Sequence, residues 1–277
     1  MSQKRIIRII GLSVNFVGFF NSKLAGKIAF YLFAKPRKGK LSVKHKAFLI
    51  TSKQEDIENT PHNIPIYIWN KNGIKTILLI HGWESNSARW KPLIKRLINS
   101  NYKIIAIDAP AHGQSNYKTF NAILYAQHIV KAIKLYSPFC IVGHSVGGMA
   151  SVLALNSHIN HGMQKMILMG APNKFEDIIT TYSKMLYYSS RVKRGLNNYI
   201  LKRFGLYPKG FYTAKFIENI TIESLLIHDK NDKIIPFSDL AAIETGLKNS
   251  KSYVSTGLGH KLKHEKIWTT CLDFLKF

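Results

Sequence analysis

Apolar and polar positions along the chain fall into two alternating rhythms. Short, almost uninterrupted apolar runs at residues 76–81, 103–108, 139–144, 165–171 and 223–228 read as strands buried on both faces. Between them, residues 89–99, 120–136 and the stretch from Met149 to Leu155 carry apolar side chains at helical spacing. A strand–helix alternation of this kind predicts an α/β fold, a mostly parallel sheet with helices on both faces. One more short strand is expected at 252–255. Ahead of the series, residues 41–51 and 64–69 read as a hairpin pair joined by a polar loop that contains Asn59, Thr60 and Pro61. The rhythm breaks at about 173–216, a helical, basic stretch with Tyr182, Tyr187, Tyr188 and Tyr199. It is expected to be a cap inserted over the C-terminal edge of the sheet, where open α/β sheets bind ligands. The expected organisation is a leader at 1–40 and a single α/β domain at 41–277 that carries this cap.

The leader has a pattern of its own. Residues 6–20 are nearly all apolar but are interrupted by Arg8, Gly11, Asn15 and Gly18, with Ser22 following. On a helix these positions form one narrow polar or small stripe, which suits a helix lying against something apolar. The run falls short of the roughly 20 apolar residues that a membrane span needs, and it lacks the small-residue cleavage site of a signal peptide. Two readings stay open: packing on the protein's own core, or an interfacial helix on an anionic membrane aided by Lys23, Lys27 and Lys35-Pro36-Arg37-Lys38. The expected location is the cytoplasm, with peripheral contact on the inner face of the membrane under the second reading.

Charge sharpens that choice. Forty Lys and Arg against 15 Asp and Glu give a net charge of +25. The first 54 residues contain no acid, and neither does the stretch 178–217. Such a field favours anionic partners, with lipid head groups or acidic substrates ahead of nucleic acid, and the plain alternative is solvated surface charge from a lysine-biased composition. The two cysteines, Cys140 in a buried strand and Cys271 in the last helix, read as packed thiols. No Cys/His grouping has zinc spacing, so no metal is expected.

Candidate chemistry begins at Gly143-His144-Ser145-Val146-Gly147-Gly148, where a buried strand gives way to a helix. The glycines leave room for a sharp turn that drives the serine hydroxyl outward, beside helix N–H groups that favour negative charge. A serine needs a base and an orienting group to become a nucleophile. His260, in the loop after the last strand, is the candidate base, and Asp232 is the candidate carboxylate. Asp229 directly follows its strand and reads as a turn cap. The backbone N–H groups of Trp83, in "LLIHGW", and of Val146 are the candidate oxyanion donors. His81, His112, His144 and His228 read as structural supports.

These residues resemble the α/β-hydrolase superfamily. Gly143-His144-Ser145-Val146-Gly147 matches the nucleophile elbow G-x-S-x-G, and the order Ser145, Asp232, His260 matches the family's order. "DAPAHGQS", residues 108–115, is similar to the family's D-x-x-G-x-G-x-S segment, with His112 where glycine is common. Together with "HGW" and the preceding "LFAKPRKGK", these motifs resemble a bacterial, esterase-like branch whose substrates are largely unassigned. The resemblance runs from about residue 41 onward. It implies acyl transfer to water, since relatives that displace halide or open epoxides carry aspartate at the elbow. It implies a small-molecule ester or thioester as substrate and no cofactor. The competing expectation is a catalytically weak scaffold that binds anionic lipid or nucleic acid through its basic surfaces.

Overall fold

Five apolar pentapeptides lie at the centre of the sheet. The computed structural model describes residues 2–57, 62–158 and 162–276, so the turn at Asn59, Thr60 and Pro61 lies outside the described residues. In chain order the strands are β1 (Lys53–Asp56), β2 (Pro65–Trp69), β3 (Thr76–Ile80), β4 (Lys103–Ile107), β5 (Cys140–His144), β6 (Lys165–Met169), β7 (Glu223–Asp229) and β8 (Ser250–Ser255). Among the described residues they form one sheet in the order β1-β2-β4-β3-β5-β6-β7-β8. From β4 through β8 every neighbouring pair is parallel, while β1–β2 and β2–β4 are antiparallel. β2, β5 and β6 are buried along their whole length, which explains why their sequences do not alternate. Ile66, Ile68, Ile105, Ile107 and Ile141 pack into the core on one face, and Tyr67, Ile104, Ala106, Cys140 and Val142 into the core on the other. Both cysteines are free and buried.

The expected strand at 41–51 is instead a helix, Val43–Leu49, followed by the short strand β1. Ser42 caps the helix by accepting from the His45 N–H, and the polar tetrapeptide Lys-Gln-Glu-Asp takes the strand position by pairing with β2 at the sheet edge. An edge strand exposed along most of its length has no apolar alternation to advertise it.

The chain divides into two compact units. The larger comprises residues 36–173 and 213–277 and holds the sheet. The smaller joins residues 1–35 to 174–212, so the leader helices Gln3–Phe20 and Ser22–Ala34 share a core with the helices Phe175–Met185 and Ser190–Phe204. Helix Ser22–Ala34 crosses Ser190–Phe204 with backbone nearly touching backbone: a Cβ on Gly195 would overlap the carbonyl of Ser22, and one on Gly26 would overlap Gly195 itself. Around that crossing Phe30 meets Tyr199 at 5.2 Å and Phe204 at 5.7 Å, and Phe33 meets Tyr182 at 5.1 Å.

Candidate active site

β5 ends at His144, and the helix Val146–Ser157 starts two residues later. Ser145 spans the change of direction at φ 55° and ψ −131°, a region whose regular occupant is glycine. Its neighbours explain how the strain is held. The Ser145 N–H donates to Met169 O at 2.8 Å, and its carbonyl accepts from Gly148 N at 2.8 Å. A Cβ on Gly143 would come within 2.6 Å of Gly148 Cα, and one on Gly147 would overlap the His81 carbonyl. The end of β3 is therefore pressed against the elbow. A Cβ on Gly82 would lie 2.9 Å from the Ser145 Cβ, so the loop that carries Trp83 runs alongside the serine. Val146 opens the helix, and its N–H belongs to the first turn, which has no acceptor within the helix.

Two loops bring the remaining groups to this point. His260 Nε2 lies 2.9 Å from Ser145 Oγ, and His260 Nδ1 lies 2.7 Å from Asp232 Oδ2. The Asp232 side chain is fully buried. Burial pushes its carboxyl up, yet the bond from His260 and the N–H groups of Ile235 and Ile234 outweigh burial and hold it below the ordinary carboxylate value. An ionised Asp232 accepts from Nδ1–H and leaves Nε2 free to accept from the serine hydroxyl. The three residues picked from the sequence thus form one continuous hydrogen-bonded row.

Asp229 does something else. Its carboxylate accepts from Ser255 Oγ at 2.7 Å, Asn231 N at 2.9 Å and Leu258 N at 2.9 Å, tying the turn after β7 to the loop that leads to His260. His144, just before the serine, reaches the same loop, with Nε2 2.8 Å from the His260 carbonyl. Burial drives its imidazole well below the ordinary value, so it is neutral and donates that proton. His81 and His112 are neutral for the same reason, each pushed down to about 3 by burial. Their Nε2 atoms accept from the backbone N–H groups of Ala109 and Glu84, both at 2.9 Å.

Two further buried groups support these loops. Asp108, wholly buried, accepts from Tyr67 Oη at 2.8 Å, Ser87 N at 2.9 Å, Ser87 Oγ at 2.8 Å and Gln114 N at 2.9 Å. It knots the loops after β3 and β4, and a Cβ on Gly113 would overlap its carboxylate. Arg89, also buried, stacks on Trp90 and donates to the Lys261 carbonyl at 3.0 Å, next to His260. The signals for Asp108 were its place at the end of a buried strand and at the head of the segment 108–115; Arg89 gave none, since an arginine at the start of a surface helix reads as solvated.

Comparison with known proteins agrees with this architecture. A family model described as alpha/beta hydrolase fold matches residues 75–201. The chain is 32% identical over 89 residues to a serine hydrolase-like protein of Danio rerio, covering 29% of this chain and 26% of that protein. It is 20% identical over 255 residues to the AB hydrolase superfamily protein YisY of Bacillus subtilis, covering 75% of this chain and 92% of the relative. It is 24% identical over 155 residues to a pimeloyl-[acyl-carrier protein] methyl ester esterase of Aliivibrio salmonicida, covering 54% and 51%. The match therefore spans about a quarter of the first relative's length and half of the third's. Among solved structures, an esterase from Exiguobacterium antarcticum superposes with a TM-score of 0.61 at 18% identity, covering 78% of this chain and 96% of that one. By sheet order and by these likenesses, the chain has the α/β-hydrolase fold.

Proposed function

We propose that the chain is a serine hydrolase that cleaves a carboxylic ester or thioester through an acyl-serine intermediate. The observation that carries this reading is the row Asp232, His260, Ser145, with contacts of 2.7 and 2.9 Å, at a strained elbow on a helix N-terminus. Ser145 Oγ attacks the acyl carbon while His260 Nε2 takes its proton. The oxyanion so formed is held by the N–H groups of Val146 and Trp83. Collapse breaks the bond to the alcohol or thiol, which leaves with the proton from His260. Water then attacks the acyl-serine, gives a proton to His260, and the acid departs as Ser145 regains its hydrogen. Asp232 remains ionised throughout, fixing the imidazole tautomer and balancing the imidazolium charge. The methyl ester esterase among the relatives supports an ester as the substrate class.

The test is hydrolysis of p-nitrophenyl esters from acetate to palmitate by the protein and by Ser145→Ala. Turnover that disappears in the variant is expected. Undiminished turnover in Ser145→Ala would refute the assignment, and no serine-dependent turnover on any ester of the series would favour a binding scaffold.

A further inference from the structure

The helix Gln3–Phe20 packs inward through the Gly11, Asn15 and Gly18 part of its narrow stripe, while Arg8 stays exposed. A Cβ on Gly11 would overlap the Leu186 carbonyl, one on Gly18 would lie 2.6 Å from Val192, and Val14 is 4% exposed. Asn15 closes this side by donating to Tyr187 O and accepting from Ser189 N, both at 2.8 Å. The wide apolar side is left facing outward. Ile6, Ile9, Leu12, Phe16, Phe19 and Phe20 follow one another at helical spacing, and the three phenylalanines are 70%, 66% and 73% exposed. Phe20 makes edge contacts with Phe16 at 5.4 Å and Phe19 at 5.1 Å, so the rings already form a cluster. Single exposed apolar residues are ordinary, but a contiguous row of large ones marks an interaction surface.

The surrounding charge says what covers it. Lys4, Arg5, Arg8, Lys23 and Lys27 are exposed around the row, and Arg191 lies over the Phe19 ring at 5.1 Å. The unit to which this helix belongs carries 14 Lys and Arg against two acids, Glu176 and Asp177. A second copy of the chain would bring two such fields together, and a nucleic acid would neutralise the charge but leave the phenylalanines in water. We propose that this face docks on an anionic lipid bilayer, with the phenylalanine cluster inserted at the interface and the basic residues among the head groups. No helix among the described residues is long and apolar enough to cross a membrane, so the contact lies in the interface plane. This inference is independent of the hydrolase reading.

The experiment is co-sedimentation of the full chain with phosphatidylglycerol-containing vesicles and with pure phosphatidylcholine vesicles, at low and high salt. Binding to the anionic vesicles that weakens with salt is expected. The triple variant Phe16→Ser, Phe19→Ser, Phe20→Ser is expected to lose about 100-fold or more in affinity, with thermal unfolding unchanged because the rings are exposed. As a second readout, Cys140 and Cys271 are buried, so a Phe19→Cys variant takes a polarity-sensitive dye at the docking face alone, and its emission is expected to shift to the blue on anionic vesicles. Three results would overturn the proposal: no vesicle binding at low salt; binding that the phenylalanine substitutions and the dye do not register; or self-association of the wild type that the triple variant abolishes, which would assign the face to a second copy.

Discussion

Replacing Ser145 by glycine rather than alanine separates backbone strain from chemistry. Both substitutions remove the hydroxyl and its 2.9 Å contact to His260, so the loss of that hydrogen bond cancels in the comparison. What differs is the backbone at φ 55° and ψ −131°. Alanine keeps the cost of holding a Cβ there, about 1–3 kcal/mol, whereas glycine adopts the region freely. Glycine in turn gives the unfolded chain more freedom, which costs about 0.5–1 kcal/mol. The Ser145→Gly protein is therefore expected to exceed Ser145→Ala in stability by about 1 kcal/mol, or about 2 °C in Tm for a chain of this size. At an unstrained position the order is reversed. Urea unfolding of the two inactive variants under one buffer reads the difference directly. If Ser145→Gly is the less stable by half a kcal/mol or more, the elbow stores no strain and the argument for its geometry fails.

Two further outcomes follow from the carboxylates and the buried imidazoles. Asp232→Asn is expected to lower kcat by about 10³–10⁴-fold by favouring the wrong tautomer of His260, while Asp229→Asn, outside the row, is expected to lower stability through its bonds to Ser255, Asn231 and Leu258 and to leave a much smaller kinetic defect; equal kinetic losses would merge the two roles. His81 and His112, held near 3 in the fold against about 6.5 unfolded, bind fewer protons when folded. Their contribution is complete above pH 6.5 and is lost as pH falls toward 3, at about 1.4 kcal/mol per pH unit for each. Unfolding free energies that stay flat from pH 7.5 to 5.5 would contradict the buried, neutral assignment.

How much of this was legible depended on burial. "TILLI", "KIIAI" and "CIVGH" announce strands because a sheet covered on both faces demands apolar residues at every position. "KQED" does not, because β1 exists through its pairing with β2 rather than through any preference of its own. The choice of Asp232 over Asp229 was readable from distance to the strand end, since a residue directly on the end caps the turn and one three positions on has a loop to carry it. The stripe on the first helix was readable, but not which side faces inward. That depended on Leu186 and Val192, residues far along the chain whose backbone and side chain admit only glycine opposite them. The support given by Arg89 was likewise hidden, because it acts through a carbonyl on a loop far away in sequence.

The smaller unit is discontinuous, and synthesis from the ribosome must meet that fact in time. Helices Gln3–Phe20 and Ser22–Ala34 emerge first, but the helices that complete their core end at Phe204, after six strands of the sheet have been made. At about 5–20 residues per second, the interval between the two segments is of order ten to thirty seconds. Throughout it the leader hairpin carries not only Phe16, Phe19 and Phe20 but also Phe30 and Val14 without their partners. A nascent chain in that state is a substrate for holding chaperones and a candidate for early capture by a lipid surface, so the order of assembly bears on where the finished protein resides as well as on how it folds.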